Sequence, residues 1–413
     1  MGYVNSPQEA LGVRPGVEPQ PGTRAPQDDT PSPRRSRAEG WVGQLRFPLA
    51  VYAGSRLLYL IVGVFDTWIT HGWPLPKELA NWDGVWYLYL AGNGYPTHVS
   101  HIQTTLGFFP LYPILMTAVS HALFITQEGA GLIVAGIGGF VATVLVQRLA
   151  TGWWDARAGR RAVVFFCLFP GSIVFSMIYS EGLMLPLAAG AILALERRRW
   201  MLAGLLAGLA TAAGPTAVAI IPACAVAAFL ELRRRGWTDP QALRSLAAPV
   251  LAPLGIVAFG IFLWAWTGSP FASYTAQRYG WDERTNLLAL GHTTSKMVGQ
   301  VLAFHSLHHP GINLNYVSGV VGAVFLIVAL VLIARTRPTV SAPAIAWTLG
   351  IAFLTLTSSN VPPNPRMLLM AFPALAIIAY KCTGKAYRRL IVTSTVLLVA
   401  MSIVSFVGTG LRP

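Results

Sequence analysis

Apolar runs at residues 46–66, 106–125, 129–148, 162–178, 182–195, 200–213, 216–230, 247–267, 316–334, 342–358, 367–381 and 389–409 constrain what this 413-residue chain can become. About 20 apolar residues in a helix match the ~30 Å hydrocarbon core of a bilayer. Charged residues make up 11% of the chain, against about 25% in an ordinary soluble domain. Mean hydropathy is +0.55. A soluble globular enzyme, a disordered chain and a disulfide scaffold are all excluded. The reading is an all-α polytopic membrane protein.

The net charge of +14 comes from 30 Lys and Arg against 16 Asp and Glu. In a soluble protein that excess would suggest nucleic acid, but here it is gathered between the apolar runs. Basic clusters fall at residues 14–46, 148–161, 197–199, 233–244, 335–337 and 381–389. All six satisfy the positive-inside rule if they are cytoplasmic. The N-terminus is then cytoplasmic, and an odd number of crossings must separate 46–66 from Arg148. The run 106–125, with Pro110, Pro113 and His121, is therefore expected as an interfacial helix, leaving about 11 transmembrane helices. Two long outer loops follow, at about 67–128 and 268–315. Residues 1–40 are Pro- and Arg-rich and are expected to be a disordered cytoplasmic tail, with the integral membrane domain at 41–413. Cys167, Cys224 and Cys382 read as buried small hydrophobes, with no metal or disulfide framework.

Scarce charge makes the remaining acids informative, because an ionisable residue near a membrane is a functional candidate by default. Asp83 lies in Asn81-Trp82-Asp83-Gly84-Val85-Trp86-Tyr87. Gly84 allows a tight turn or a close backbone approach, and the alternative is a helix N-cap. Glu181 lies in Tyr179-Ser180-Glu181 between two apolar runs. Its alternative is a helix-start carboxylate, with Ser180 as cap. Arg366 follows Pro362-Pro363-Asn364-Pro365 at a helix start. A cation there opposes the helix dipole, so it suits a phosphate better than it suits the helix. Its alternative is a snorkelling interfacial side chain. In the later loop, Gln277 suits sugar hydroxyls, and Trp281 or Tyr279 offers a stacking face. The eight histidines, His71, His98, His101, His121, His292, His305, His308 and His309, match no strong metal spacing.

Several segments in order resemble the PIG-V family of dolichyl-phosphate-mannose-dependent mannosyltransferases, especially its bacterial members. They are Trp82-Asp83-Gly84 with Trp86-Tyr87 and Gly94-Tyr95, then Phe108-Phe109-Pro110-Leu111-Tyr112-Pro113. Phe169-Pro170-Gly171-Ser172 with Tyr179-Ser180-Glu181 come next, followed by Gly268 to Gln277, and Pro365-Arg366 with Phe372-Pro373. The resemblance implies a GT-C glycosyltransferase-like bundle and a catalytic acid in the first outer loop. Asp83 matches that acid and Glu181 a second acidic motif. Trp82, Trp86, Tyr87, Tyr179, Gln277, Arg278 and Arg366 are the implied substrate-binding residues. Relatives often carry an Arg before the Pro of the 200–230 hairpin, where this chain reads Ala213-Gly214-Pro215. Donor binding would then shift to Arg366, Arg278 or Arg284.

The implied reaction moves mannose from polyprenyl-phosphate-mannose to a cell-envelope glycolipid, lipoglycan or glycan. It would occur on the extracytoplasmic face of a bacterial plasma membrane. A polyprenyl phosphate leaves without a general acid, so one base, Asp83, suffices for an inverting displacement, with Glu181 as a secondary catalytic acid. The lipid-linked donor, the acceptor and the membrane are the expected partners, with no nucleic acid and no cofactor that the sequence requires; dependence on a divalent metal stays open. A transporter or flippase, favoured by Arg56 within the first run, and a non-catalytic scaffold are the alternatives.

Overall fold

The computed structural model describes residues 33–70, 79–303, 313–336 and 339–407. They are almost entirely helical; among them the one β pairing is an isolated bridge between Thr285 and Ser358. The chain divides into units 1–43 and 44–413. Of the expected tail 1–40, residues 1–32 lie outside the described residues. Helix α1 (Pro33–Thr70) begins inside that boundary.

From residue 79 onward come α2 (Asp83–Asn93), α3 (Leu111–Leu123), α4 (Gln127–Trp153), α5 (Ala156–Leu168), α6 (Glu181–Glu196), α7 (Trp200–Ala213) and α8 (Ile220–Arg235). They are followed by α9 (Leu254–Thr267), α10 (Ala289–Ala303), α11 (Leu314–Arg335), α12 (Ala342–Leu356), α13 (Pro365–Met370), α14 (Phe372–Lys381) and α15 (Gly384–Val407). Each apolar run expected as a span carries helix among its described residues. Among the described residues six helices are long and apolar enough to cross a membrane, or seven if α5 is joined to the 3₁₀ segment Pro170–Ser176. The helices α6, α7, α12 and α14 have 16, 14, 15 and 10 residues, so at about 1.5 Å per residue they are shorter than the hydrocarbon core. Helix α3, at 13 residues, is likewise too short to span, as expected of an interfacial helix.

The run 162–178, expected as one helix, is instead broken and bent by 73°. Pro170 supplies no N–H to continue the α5 ladder, so the chain leaves the helix at Phe169 and resumes as a tighter 3₁₀ coil. This broken segment is buried along its length, as are α6 and α14. Close packing at that centre depends on small residues. A Cβ on Gly138 of α4 would lie 1.8 Å from the Gly182 carbonyl oxygen at the start of α6. By contrast, Leu57, Ile61, Val64 and Phe65 of α1 are more than half exposed, as a lipid-facing helix surface requires.

Several helices run in register from one end of the bundle to the other. Helix α6 starts at Glu181 and ends before Arg197-Arg198-Arg199, and α8 follows Pro215 and ends at Arg233-Arg234-Arg235. Segment α13–α14 starts at Asn364 and ends at Lys381. Their starting ends enclose a cavity, and their far ends carry basic clusters. There Glu231, 7% exposed, pairs with Arg198, Arg234 and Arg235 at 3.6, 3.0 and 2.6 Å.

Candidate active site

The cavity has a volume of about 470 Å³ and is built mainly by four stretches far apart in sequence, with Gly107-Phe108 and Pro215-Thr216 completing its wall. The first is the turn 79–82 leading into α2. Asn81 donates to the Ser405 carbonyl of α15 at 3.0 Å, and the Ile178 amide donates to the Leu79 carbonyl at 3.1 Å. Trp82 then adopts φ +54°, a region L side chains rarely occupy. A Cβ on Gly84 would lie 3.3 Å from the Ile178 carbonyl oxygen, so this glycine does permit a close backbone approach. Asp83 is the first residue of α2, not its cap.

The second stretch is 177–184. Ser180 precedes α6 without capping it through its side chain, and Glu181 is 5% exposed. The third is 354–367. Asn364 caps α13 by accepting from the Met367 amide at 2.9 Å, and Arg366 follows Pro365 in the first turn. The Arg366 guanidinium donates from Nη1 to Asp83, its Nε lies 3.4 Å from Glu181 Oε1, and its Cζ stands 5.2 Å from the Tyr179 ring centroid. This is a buried three-charge cluster, neither a set of helix caps nor a snorkelling arginine. The side chains of Arg366, Glu181 and Asp83 are 12%, 7% and 32% exposed. Of the two acids in the cluster, Asp83 is therefore the one more open to the cavity.

The fourth stretch is the loop 276–286. Gln277 in the π-helical turn Ala276–Gly280 donates to the Gly107 carbonyl at 3.0 Å, and Trp281 donates to the Thr104 carbonyl at 3.3 Å. Together these bonds join the two loops the sequence marks as long. Trp281, Trp86 and Phe108 form an aromatic wall, with Trp86 5.0 Å from Trp281 and 6.0 Å from Phe108 between centroids. Tyr87 packs edge-on against Phe108 and Tyr112 beneath that wall. Burial, with Glu181 and Asp83 close by, pushes its hydroxyl well above the usual tyrosine range, so it stays protonated.

Loop 281–286 is stitched to 357–361. Asn286 donates to the Thr357 carbonyl at 2.6 Å, Ser359 to the Arg284 carbonyl at 3.0 Å, and the Asn360 side chain to the Trp281 carbonyl at 2.7 Å. Ser358 donates to Glu283 at 2.9 Å. Burial raises the Glu283 carboxyl above its usual range, opposed by the Ser358 hydroxyl and the backbone N–H groups of Asn360, Val361 and Ser359.

Of the residues singled out from sequence, Trp82, Asp83, Trp86, Tyr87, Tyr179, Glu181, Gln277 and Arg366 all line this cavity. Arg278 does not. It turns to the Tyr274 hydroxyl at 2.8 Å and stacks near Tyr274 and Tyr279. Arg284, the other alternative for the donor phosphate, is exposed and pairs with Asp282 at 3.2 Å. Tyr279 faces outward against His101. His71, His305, His308 and His309 lie outside the described residues. Residues missed in the sequence include Glu283, Ser358, Asn360, Thr355, Thr216 and Met184. Nothing marked them, since polar residues at loop ends are common and their convergence depends on pairing across 75 residues. Pro215 and Thr216 line the cavity beside Met184, so the departure at Ala213-Gly214 leaves an uncharged wall there. Among the described residues the lining holds one cation, Arg366, and three carboxylates, Asp83, Glu181 and Glu283.

This geometry can be set beside known proteins. Residues 74–228 match the family described as Mannosyltransferase (PIG-V). The GPI mannosyltransferase 2 proteins of Drosophila melanogaster and Drosophila pseudoobscura pseudoobscura are each 31% identical over 113 residues. That stretch is 25% of this chain and 24% of each relative, so about a quarter of the relatives' length is matched. The fold is similar to the crystal structure of ArnT from Cupriavidus metallidurans bound to undecaprenyl phosphate. The TM-score is 0.52 at 13% identity, over 91% of this chain and 66% of that one. That likeness is one of fold, a bundle of apolar helices several of which are long enough to cross a membrane. The segment that is similar to the PIG-V family carries both Asp83 and Glu181.

Proposed function

We propose that the protein is a membrane glycosyltransferase that moves mannose from polyprenyl-phosphate-mannose to a hydroxyl of a cell-envelope glycolipid, lipoglycan or glycan. The carrying observation is the Asp83–Arg366–Glu181 cluster on the cavity wall. The PIG-V match over 74–228 and the likeness to ArnT support the same reading.

In the proposed reaction the acceptor oxygen attacks the anomeric carbon as the bond to the phosphate oxygen breaks. The polyprenyl phosphate leaves with that electron pair, and configuration inverts. Asp83 takes the acceptor proton. Its carboxylate is held against Arg366 and yet open to the cavity, as a general base within reach of a bound hydroxyl must be. Glu181 is nearly enclosed, so its part is to hold Arg366 and, through it, Asp83. Arg366 supplies the positive field for the leaving phosphate. Trp86 and Trp281 offer apolar faces to a sugar ring, and Gln277 its amide. No resident cofactor or metal is invoked. In this proposal the cavity opens to the extracytoplasmic side of a bacterial plasma membrane, and the basic helix ends are cytoplasmic.

The test is transfer from polyprenyl-phosphate-mannose in membranes containing Asp83→Asn at unchanged protein level. Loss of transfer is expected, and retained transfer would sink the base assignment. Transfer of a different sugar by the wild type would overturn the mannose assignment alone.

A further inference from the structure

We infer that Arg56 is a positioning residue, which fixes the Asp83–Arg366–Glu181 cluster by capping the broken segment that supports all three. Arg56 lies on α1 inside an apolar helix, and among the described residues it has no ion-pair partner. Its guanidinium meets oxygen at every nitrogen instead. Nε donates to Ser55 Oγ at 3.3 Å, and Nη1 donates to the Ser172 carbonyl and to Ser176 Oγ at 3.1 Å. Nη2 donates to Ser172 Oγ at 2.8 Å and to the Cys167 carbonyl at 3.4 Å. The rings of Tyr52 and Phe175 flank it, 5.4 and 5.8 Å from Cζ to centroid.

Holding a cation in apolar surroundings without a counter-ion is costly, so what it faces matters. It faces the C-terminal end of α5. The last carbonyls of a helix have no partner in the helix and carry the negative end of its dipole. Arg56 meets one of them, the Cys167 carbonyl, from another helix, and binds the Ser172 carbonyl on the far side of the 73° bend at Pro170, so it bridges the break. Ser172, fully buried, completes the lock by donating to the Cys167 carbonyl at 2.8 Å.

The capped segment touches the backbone beneath each charged group. A Cβ on Gly171 would lie 2.1 Å from the Pro365 carbonyl oxygen and 3.0 Å from the Arg366 nitrogen. The 3₁₀ coil therefore forms the seat of Arg366. Two residues past the coil, Ile178 pairs with Leu79 and packs against Gly84, the neighbour of Asp83. Glu181 follows three residues later. Arg56 contacts none of the three, yet the one segment it caps abuts Arg366 and Asp83 and leads directly into Glu181.

Hydrogen–deuterium exchange on the full-length protein in nanodiscs tests this with wild type, Arg56→Met and Arg56→Lys. Positioning predicts about ten-fold faster exchange in both 167–177 and 362–370 of Arg56→Met, with 200–235 unchanged. Arg56→Lys, which keeps the charge but reaches fewer oxygens, should perturb the same two segments less. It also serves as the readable variant if Arg56→Met does not fold. Faster exchange confined to 167–177 overturns the inference, because Arg56 is then a local cap. Faster exchange throughout 200–235 overturns it too, because Arg56 then supports the fold alone.

The functional consequence rests on the glycosyltransferase reading, and decaprenyl phosphate serves as its probe. Affinity should fall about ten-fold in Arg56→Met and recover in part in Arg56→Lys. Unchanged affinity in both overturns that consequence. A wild type that does not bind decaprenyl phosphate sinks the transferase reading, while the exchange result still decides the role of Arg56.

Discussion

Asp83, Glu181 and Arg366 show how two carboxylates of the same charge are given different tasks by their surroundings. Both touch one guanidinium, but Asp83 keeps about a third of its side-chain surface open and Glu181 almost none. We expect Asp83→Asn to lower turnover by about 10²–10⁴-fold, the usual contribution of a general base, with thermal stability little changed. Glu181→Gln should cost far less in turnover and shift donor affinity, because it loosens Arg366 and leaves the base in place. Steady-state assays of the two variants separate these roles, and equal losses would mean that both acids act directly. Arg366→Gln is the damaging change for folding. It leaves two carboxylates facing one another without their cation, a defect worth about 3–5 kcal/mol in a buried pair. It should be seen as a lowered Tm together with loss of donor binding. The positive φ of Trp82 next to Asp83 is a further sign that local comfort is given up at this turn. Its usual cost is about 1–3 kcal/mol, and the bonds from Asn81 and Ile178 hold the turn in place.

At the scale of elements, the site depends on how closely α4 and α6 approach. Gly138→Ala would drive a methyl into the Gly182 carbonyl, 1.8 Å from the ideal Cβ. Neither backbone can yield cheaply, so we expect a loss at or above the ~1–3 kcal/mol typical of overpacking. Reduced activity should accompany it, since Gly182 follows Glu181. A Tm equal to wild type would show that the helices can part. The stitched loops 281–286 and 357–361 make a second element-scale prediction. The Glu283 carboxyl is raised by burial. An acid whose folded pKa exceeds its unfolded value contributes stability that is complete below the unfolded pKa and is lost as pH rises through the folded one. The Tm of Glu283→Gln minus that of wild type should therefore increase as pH is raised from the ordinary glutamate range toward neutrality. A flat or falling difference would show that the N–H groups around Glu283 outweigh its burial.

For the whole molecule, the cavity lies at the starting ends of α6, α8 and α13, and basic clusters lie at the far ends of α6, α8 and α14. In the orientation we propose, the positive-inside rule sets the cavity outward. In a background with the native cysteines replaced, Leu287→Cys should react with a membrane-impermeant maleimide on intact cells. Arg199→Cys should react only after permeabilisation. Both native side chains are exposed, so access is set by the membrane and not by burial. The reverse pattern would place the cavity on the cytoplasmic side.

Composition and the order of apolar runs by themselves determine that this chain is a helical membrane bundle, and where nearly every helix falls. A bilayer tolerates few backbone solutions, so a run of apolar residues has little choice but helix. Asp83, Glu181 and Arg366 are also legible in sequence, because charge is rare enough for each to stand out. Tertiary structure decides the rest. Alone, Asp83 and Glu181 read equally well as helix-start carboxylates and Arg366 as a snorkelling side chain, and only convergence of segments about 100 and 185 residues apart turns them into a cluster. The break at Pro170 and the cage around Arg56 are hidden for the same reason: a 73° bend and five oxygens around a guanidinium arise from packing between elements. Arg278 shows the converse. It neighbours Gln277 in sequence, yet the turn that sends Gln277 into the cavity sends Arg278 to Tyr274, because adjacent side chains on a helical turn do not share a face.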